Sequence, residues 1–318
     1  MIFDKFGIVV MLLVLVIIMA VLIPGFLAPS SILSLLVQGS IFGIMALGVT
    51  FIIISGGIDL AAGSMVALTA VVSASFGQLA GASNKIFPWV PELGMWAPLV
   101  VAIVFGGLLG AINGFLISKL NLFPFIATLG TYTIFRGFAL VITQGKPVTQ
   151  LLPGFVKVGG NIGPIPTPIL IFAICVVICS VLLNRTRFGY HTFAIGGNAA
   201  AARVTGINIP RMIILIYAFA GVMYGVASFV YAGRVLSVNP GAAKNYELTA
   251  ISASIIGGTS PVGGKGTIWG VVVGTLILSV IRQGLTMLAV DAYWQQIAEG
   301  AIIVVAVIFA MLRQNAED

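Results

Sequence analysis

The sequence predicts an all-α membrane protein, a polytopic bundle of about ten transmembrane helices in which two helix pairs are broken by glycines. Three observations predict it. The 318-residue chain is 60% hydrophobic and only 7% charged, with a mean hydropathy of +1.18, which excludes a soluble globular domain. Apolar runs near the length of about 20 residues that a bilayer demands recur along the whole chain. They fall at 7–23, 31–54, 63–81, 97–118, 122–143, 166–183, 212–232, 246–258, 267–288 and 294–311. Finally, the longest polar and basic passage, 184–211, separates two such runs as a single loop, so residues 1–318 read as one transmembrane domain.

The first run follows Asp4 and Lys5 and ends at Pro24-Gly25-Phe26, without a small-x-small cleavage site, so it is expected to be an uncleaved span. The second ends in Ile54-Ser55-Gly56-Gly57-Ile58-Asp59-Leu60-Ala61-Ala62-Gly63-Ser64. Gly56 and Gly57 interrupt the helix, and backbone freed at membrane depth is tolerated only against protein or water. Asp59 has two readings here: an N-cap for the next helix, or a gate residue, since ionisable groups at membrane depth often serve function.

Gly106, Gly110 and Gly114 repeat at spacing four in the fourth run, a seam of small residues that lets helix backbones approach closely. Gly266, Gly270 and Gly274 repeat the device in the ninth. Pro124 sits where a helix's first turn accepts it. The Pro- and Gly-rich loop 144–165 is the longest on the outer side and offers a landing surface for an extracytoplasmic partner. Cys175 and Cys179 lie four apart on one helical face, where they read as packing residues.

The loop 184–211 carries Arg185, Arg187, Arg203, Arg211 and the single histidine, His191, with no acidic residue. Inside it the sequence spells a short helix. Asn198 supplies the N-cap, Ala199, Ala200, Ala201 and Ala202 the best helix formers, Arg203 and Val204 the last turn and Gly206 the stop. Loops rich in Lys and Arg stay in the cytoplasm. Ten spans put both termini on that side, with Lys5, Lys119, Lys265 and Arg313, while Lys85, Lys146, Lys157, Arg234 and Lys244 fall outside. The net charge of +7 is thus spread over span ends, which argues against nucleic acid as a partner.

Between 250 and 269 lies a second glycine break, with Gly257, Gly258, Gly263 and Gly264. It is not a phosphate loop. That pattern would require glycine at Thr259 and a hydroxyl residue at Gly266.

Three charged residues fall inside runs at a similar depth: Arg136, Arg282 and Glu299, on the order of 7–11 Å below the outer interface at about 1.5 Å per residue. Arg282 and Glu299 are expected to pair, because a lone charge in lipid costs several kcal/mol. Snorkelling of both arginines to the headgroups is the alternative. Gln38, Arg136 and Gln283 are candidates for a hydrophilic solute pathway.

Several of these stretches carry a resemblance. Thr186-Arg187-Phe188-Gly189 followed by Phe193-Ala194-Ile195-Gly196-Gly197-Asn198 and Ala201-Ala202-Arg203-Val204-Thr205-Gly206-Ile207 resembles the cytoplasmic loop of sugar permeases of ATP-binding cassette importers. The branch is that of ribose and galactose, related to the branched-chain amino acid permeases. Family members more often have Pro or Glu at Ala199. Gly57-Ile58-Asp59-Leu60-Ala61-Ala62-Gly63-Ser64 and Pro124–Thr131 with Arg136-Gly137 are similar to family motifs too. The resemblance implies a bacterial inner-membrane permease without catalytic residues, cofactor or metal of its own, working by alternating access. It further implies an ATP-binding cassette subunit that uses ATP and Mg and grips 198–206, a solute-binding protein outside, and a second permease copy in the lipid bilayer.

Two other classes are weighed against this. An ion-coupled secondary transporter would use midplane carboxylates and broken helices; the breaks are present, but Asp59 and Glu299 lie toward the faces of the expected topology. A membrane-embedded enzyme lacks its parts, since there are no paired acids and no Cys/His cluster.

Overall fold

Residues 2–317 are described by the computed structural model, with side chains for 7–302, 304, 305 and 308. The side chains of Asp4, Lys5 and Arg313, used above to orient the chain, lie outside that set. The helices in order are α1 (Ile2–Leu22), α2 (Pro29–Ile54), α3 (Ala62–Phe76), α4 (Trp96–Lys119), α5 (Pro124–Thr143) and α6 (Pro153–Val156). A 3₁₀ turn and a two-stranded antiparallel ribbon, β1 (Asn161–Ile162) and β2 (Ile165–Pro166), complete the outer loop. Then come α7 (Thr167–Arg185), α8 (Arg187–Gly197), α9 (Ala199–Val204), α10 (Ile209–Val235), α11 (Tyr246–Ile256), α12 (Ile268–Met287) and α13 (Ala292–Glu317).

Among the described residues, six helices are long and apolar enough to cross a membrane: α2, α4, α5, α7, α10 and α12. The sequence expectation of about ten spans is longer than this. Part of the difference is physical. The expected span 63–81 is helical only over the 15 residues of α3, and 246–258 only over the 11 of α11. At about 1.5 Å per residue these are about 22 and 16 Å long, short of a hydrocarbon core of about 30 Å.

A helix that is apolar all round belongs in the interior, and α2 shows it. Every residue from Gly39 to Ile54 is buried, and α2 packs against α7, α10, α11 and α12. α4 is two-faced. Its small-residue seam meets α10 so closely that a Cβ on Gly106, Gly110 or Gly114 would overlap the α10 backbone at Gly221, Tyr217 and Ile214. Its opposite stripe, Val100, Val104, Leu108, Ile112 and Phe115, is exposed, as a lipid-facing surface should be. The partner glycines Gly221 and Gly225 on α10 complete a seam of which the sequence reading named only one side.

One end of the bundle is stitched by Gln78, whose amide donates to the Thr149 carbonyl (3.1 Å) and whose oxygen accepts from the Ile86 N–H (2.9 Å). Val148 exchanges backbone hydrogen bonds with Val238, tying the outer loop to the end of α10. The opposite end of the bundle holds α8, α9 and the two turns 55–61 and 257–267.

Candidate functional site

α9 is the helix that the sequence spells, and both of its ends are closed. Asn198 Oδ1 accepts from the Ala201 N–H at 2.9 Å. At the other end the Gly206 N–H reaches the Arg203 carbonyl and the Ile207 N–H the Ala202 carbonyl, with Gly206 at φ +88°. This paired arrangement is the glycine-dependent stop that shields the last carbonyls. Ala202 turns inward, whereas Ala199, Ala200, Ala201, Arg203 and Val204 are exposed; Val204 is 89% exposed, an apolar side chain held out from a basic loop. Arg185, Arg187 and Arg211 are exposed around it.

α8 is an element that the sequence reading missed. Its signal was present: Phe188, Thr192 and Ile195 recur at helical spacing, and Thr186 caps the start by accepting from the Gly189 N–H. Phe188 stacks with Phe51 of α2 and Phe219 of α10, both at 5.7 Å between ring centres. One residue joins α8 to α9. The Asn198 N–H closes α8 on the Ala194 carbonyl (3.0 Å), while its own carbonyl accepts from Ala202 (2.9 Å) and opens α9.

The end of α8 lies on bare backbone. Gly264 donates its N–H to the Ile54 carbonyl at 2.8 Å, which joins the 257–267 turn to the end of α2. Gly196 is seated against both, so that a Cβ there would overlap the Ile54 carbonyl and lie 2.7 Å from the Gly264 nitrogen. A Cβ on Gly263 would stand 3.0 Å from both the Gly196 oxygen and the Gly56 nitrogen. Gly56, Gly258, Gly263 and Gly264 all have positive φ, which excludes most side chains. Gly57 lies under the Tyr217 hydroxyl, and Gly257 against the Gly270 backbone of α12.

Asp59 is 1% exposed, and it is not an N-cap: Ala61 occupies that position and makes no side-chain cap. Instead Asp59 Oδ1 accepts from the Ala61 N–H at 2.9 Å, an Asx-type turn ahead of the helix. Tyr217 donates to the neighbouring Ile58 carbonyl at 3.0 Å. Glu247, near the start of α11, is buried with its Oε2 over Gly63 of α3. Reading charges by span overlooked Glu247, because it stands second in the expected segment 246–258.

A cavity of about 70 Å³ lies among α2, α11, α12 and α13, lined by Gln38, Phe42, Asn245, Thr249, Ser252, Thr275, Ser279, Arg282, Gln296 and Glu299. Apolar side chains, among them Leu248, Leu278, Ile281 and Leu285, make up most of its wall, and the polar groups are set into it. Arg282 Nε and Nη2 both lie 2.7 Å from Glu299 Oε1, and the guanidinium sits over the Phe42 ring at 4.5 Å. Gln38 shares this cavity with the pair; Arg136 and Gln283 do not line it. Gln283 donates to Ser31 (3.3 Å), and Arg136 donates to the Pro240 (3.1 Å) and Ala242 carbonyls of the loop before α11. The three charges that share a depth in the sequence are therefore divided between two neighbourhoods. Cys175 and Cys179 are buried free thiols, and among the described residues no three His, Cys, Asp or Glu side chains gather to hold a metal.

The family described as branched-chain amino acid transport system / permease component matches residues 31–307. The ribose import permease protein of Bacillus subtilis is 40% identical over 308 residues, covering 96% of this chain and 92% of the relative. The galactose/methyl galactoside import permease protein of Escherichia coli is 39% identical over 315 residues, 96% of this chain and 94% of the relative. The ribose import permease protein of Haemophilus influenzae is 35% identical over 302 residues, 93% and 90% of the two chains. No solved structure matches. Apolar helices of membrane length and near full-length matches lead to one assignment: the chain belongs to the branched-chain amino acid transport system permease family, as a multi-pass transport component and not an enzyme.

Proposed function

We propose that this chain is the membrane permease of an ATP-driven importer, carrying a monosaccharide or a similar small polar solute across the bacterial inner membrane by alternating access. The relatives are named for ribose and for galactose or methyl galactoside, which supports a sugar as the solute. In this reading α1, α13 and the buried short helices α3 and α11, each carried the rest of the way by its adjoining protein-covered turn, complete the six long helices to about ten spans, with both termini and the loop 184–211 in the cytoplasm. The chain binds no cofactor. ATP and Mg are used by a cassette subunit that grips 198–206, a second permease copy completes the pathway within the lipid, and a solute-binding protein delivers to the outer loops.

The observation that carries the reading is α9: a doubly capped helix that holds Ala199, Ala200, Ala201, Arg203 and Val204 in the open, on a basic loop seated against two glycine turns. Such a helix is a rigid contact surface, since its ends are satisfied without a partner. The turns around Gly56, Gly57, Asp59 and around Gly257, Gly258, Gly263, Gly264 act as the inner gate. Gln38, Arg282 and Glu299 line the solute's path, and Arg136 and Gln283 hold its outer walls.

The test is to purify the chain with its cognate cassette and replace Ala200 and Ala201 together by Asp. Both sites are exposed, so folding is retained while two charges enter the contact. Loss of co-purification and of ATPase activity stimulated by the binding protein is the expected result. Unchanged coupling would remove α9 from the transmission path.

A further inference from the structure

The turn that ends α2 and the turn that begins α12 lie far apart in sequence, yet one backbone segment touches both. We infer that Gly196, at the end of α8, is the joint through which cassette motion reaches both turns at once, so the two halves of the inner gate move as one body. This inference rests on the reading of α9 as the docking element.

The geometry leaves little freedom between the parts. α9 is followed back into α8 through Asn198 alone, whose N–H, carbonyl and side-chain oxygen are all used in capping the two helices. A push on α9 therefore arrives at Gly197 and Gly196 without a flexible linker to absorb it. There Gly196 meets the Ile54 carbonyl and the Gly264 nitrogen, which are themselves hydrogen-bonded at 2.8 Å. A Cβ on Gly264 would stand 3.0 Å from the Gly197 Cα, so the turn faces both glycines of the helix end. Contacts made by backbone alone have no side-chain rotamers through which to relax, and packed interfaces of this kind shift as units. The other end of α8 is pinned by Phe188, which packs against the touching pair Phe51 and Phe219. α8 is thus a lever with its fulcrum on α2 and α10 and its tip between the two turns.

Two adjacent glycines supply a matched experiment. Gly196 has no room for a methyl group, whereas a Cβ on Gly197 would meet nothing within 4 Å. A spin label is placed at Val262, which is 61% exposed in the second turn, in the complete transporter. Its spectrum is recorded with and without MgATP. The expected result is that Gly197→Ala behaves as the parent, with a nucleotide-dependent change at Val262. Gly196→Ala retains the cassette and hydrolyses ATP, but the Val262 signal no longer responds. A normal response in Gly196→Ala overturns the joint while leaving the docking role intact. Failure of the parent chain to hold any cassette overturns the docking reading instead. Where Gly196→Ala does not fold, labels at Tyr190 on α8 and at Val262 in the otherwise unchanged chain decide. Their separation is expected to hold within about 2 Å through the ATP cycle, the scale of small helix shifts, and a larger change refutes a single moving body.

Discussion

Arg282 on α12 and Glu299 on α13 meet at 2.7 Å, with each side chain 20% exposed and the Phe42 ring closing the other face of the guanidinium. A pair this enclosed loses more when one member is left alone than when both are replaced, because the surviving charge keeps its desolvation cost. Arg282→Met and Glu299→Gln singly are each expected to lower the unfolding temperature in detergent. The double variant should recover part of the loss, with a coupling of about 1–3 kcal/mol. Strictly additive losses would show that the two charges do not depend on each other.

The α4–α10 seam predicts a steep size limit. Gly110→Ala should destabilise by at least about 1–3 kcal/mol, the range for overpacking, because its methyl would enter the Tyr217 backbone. Gly130→Ala on α5 meets nothing within 4 Å and should be neutral or slightly stabilising. Thermal unfolding of the two variants side by side is the check, and equal stabilities would contradict the seam.

Gly63 and Glu247 predict a partial rescue. A methyl on Gly63 would collide with Glu247 Oε2 and would lie 2.6 Å from the Ala243 carbonyl. Gly63→Ala should therefore reduce folded yield strongly, and adding Glu247→Ala should restore some of it but not all, since the Ala243 backbone stays. Full rescue, or none, would mean that the contact at the start of α3 is not shared between carboxylate and carbonyl.

Asn198 should be replaceable by Asp and not by Ala. Aspartate keeps an acceptor for the Ala201 N–H; alanine removes it at a cost of about 1 kcal/mol, typical of a lost N-cap. That is small against global stability and large for a six-residue helix. Hydrogen exchange at Ala201 and Ala202 is expected to speed up in Asn198→Ala and to stay slow in Asn198→Asp.

Much of this was legible in the residues, for reasons that differ by element. α9 could be read residue by residue because capping is local: Asn198 and Gly206 act on groups within three positions. The meeting of Arg282 with Glu299 was open to argument because charge in an apolar segment leaves few solutions. The length of α3 was not legible, since the expected run carries on through Gly77 to 81 after the hydrogen-bond ladder has stopped at Phe76, whereas α11 ends within two residues of its expected segment. α8 was hidden by the arginines of the loop around it, which mask the helical spacing of Phe188 and Ile195. Glu247 and the Gly196 junction depend on which distant segments touch, and no local pattern encodes that. Arg136 was grouped with Arg282 and Glu299 by depth alone, whereas its donors serve the carbonyls of Pro240 and Ala242.

The short lengths of α3 and α11 have a further consequence. A bilayer exacts a penalty for thickness mismatch only from helices that it touches. Nearly all of α3 is covered by protein, as is most of α11, while α4, α5 and α7 present the exposed stripes. Changes in acyl-chain length should therefore tilt the outer helices and leave the register of the inner ones untouched. Lipids of different thickness thus act on the exposed casing of α4, α5 and α7 before they reach the helices that casing encloses.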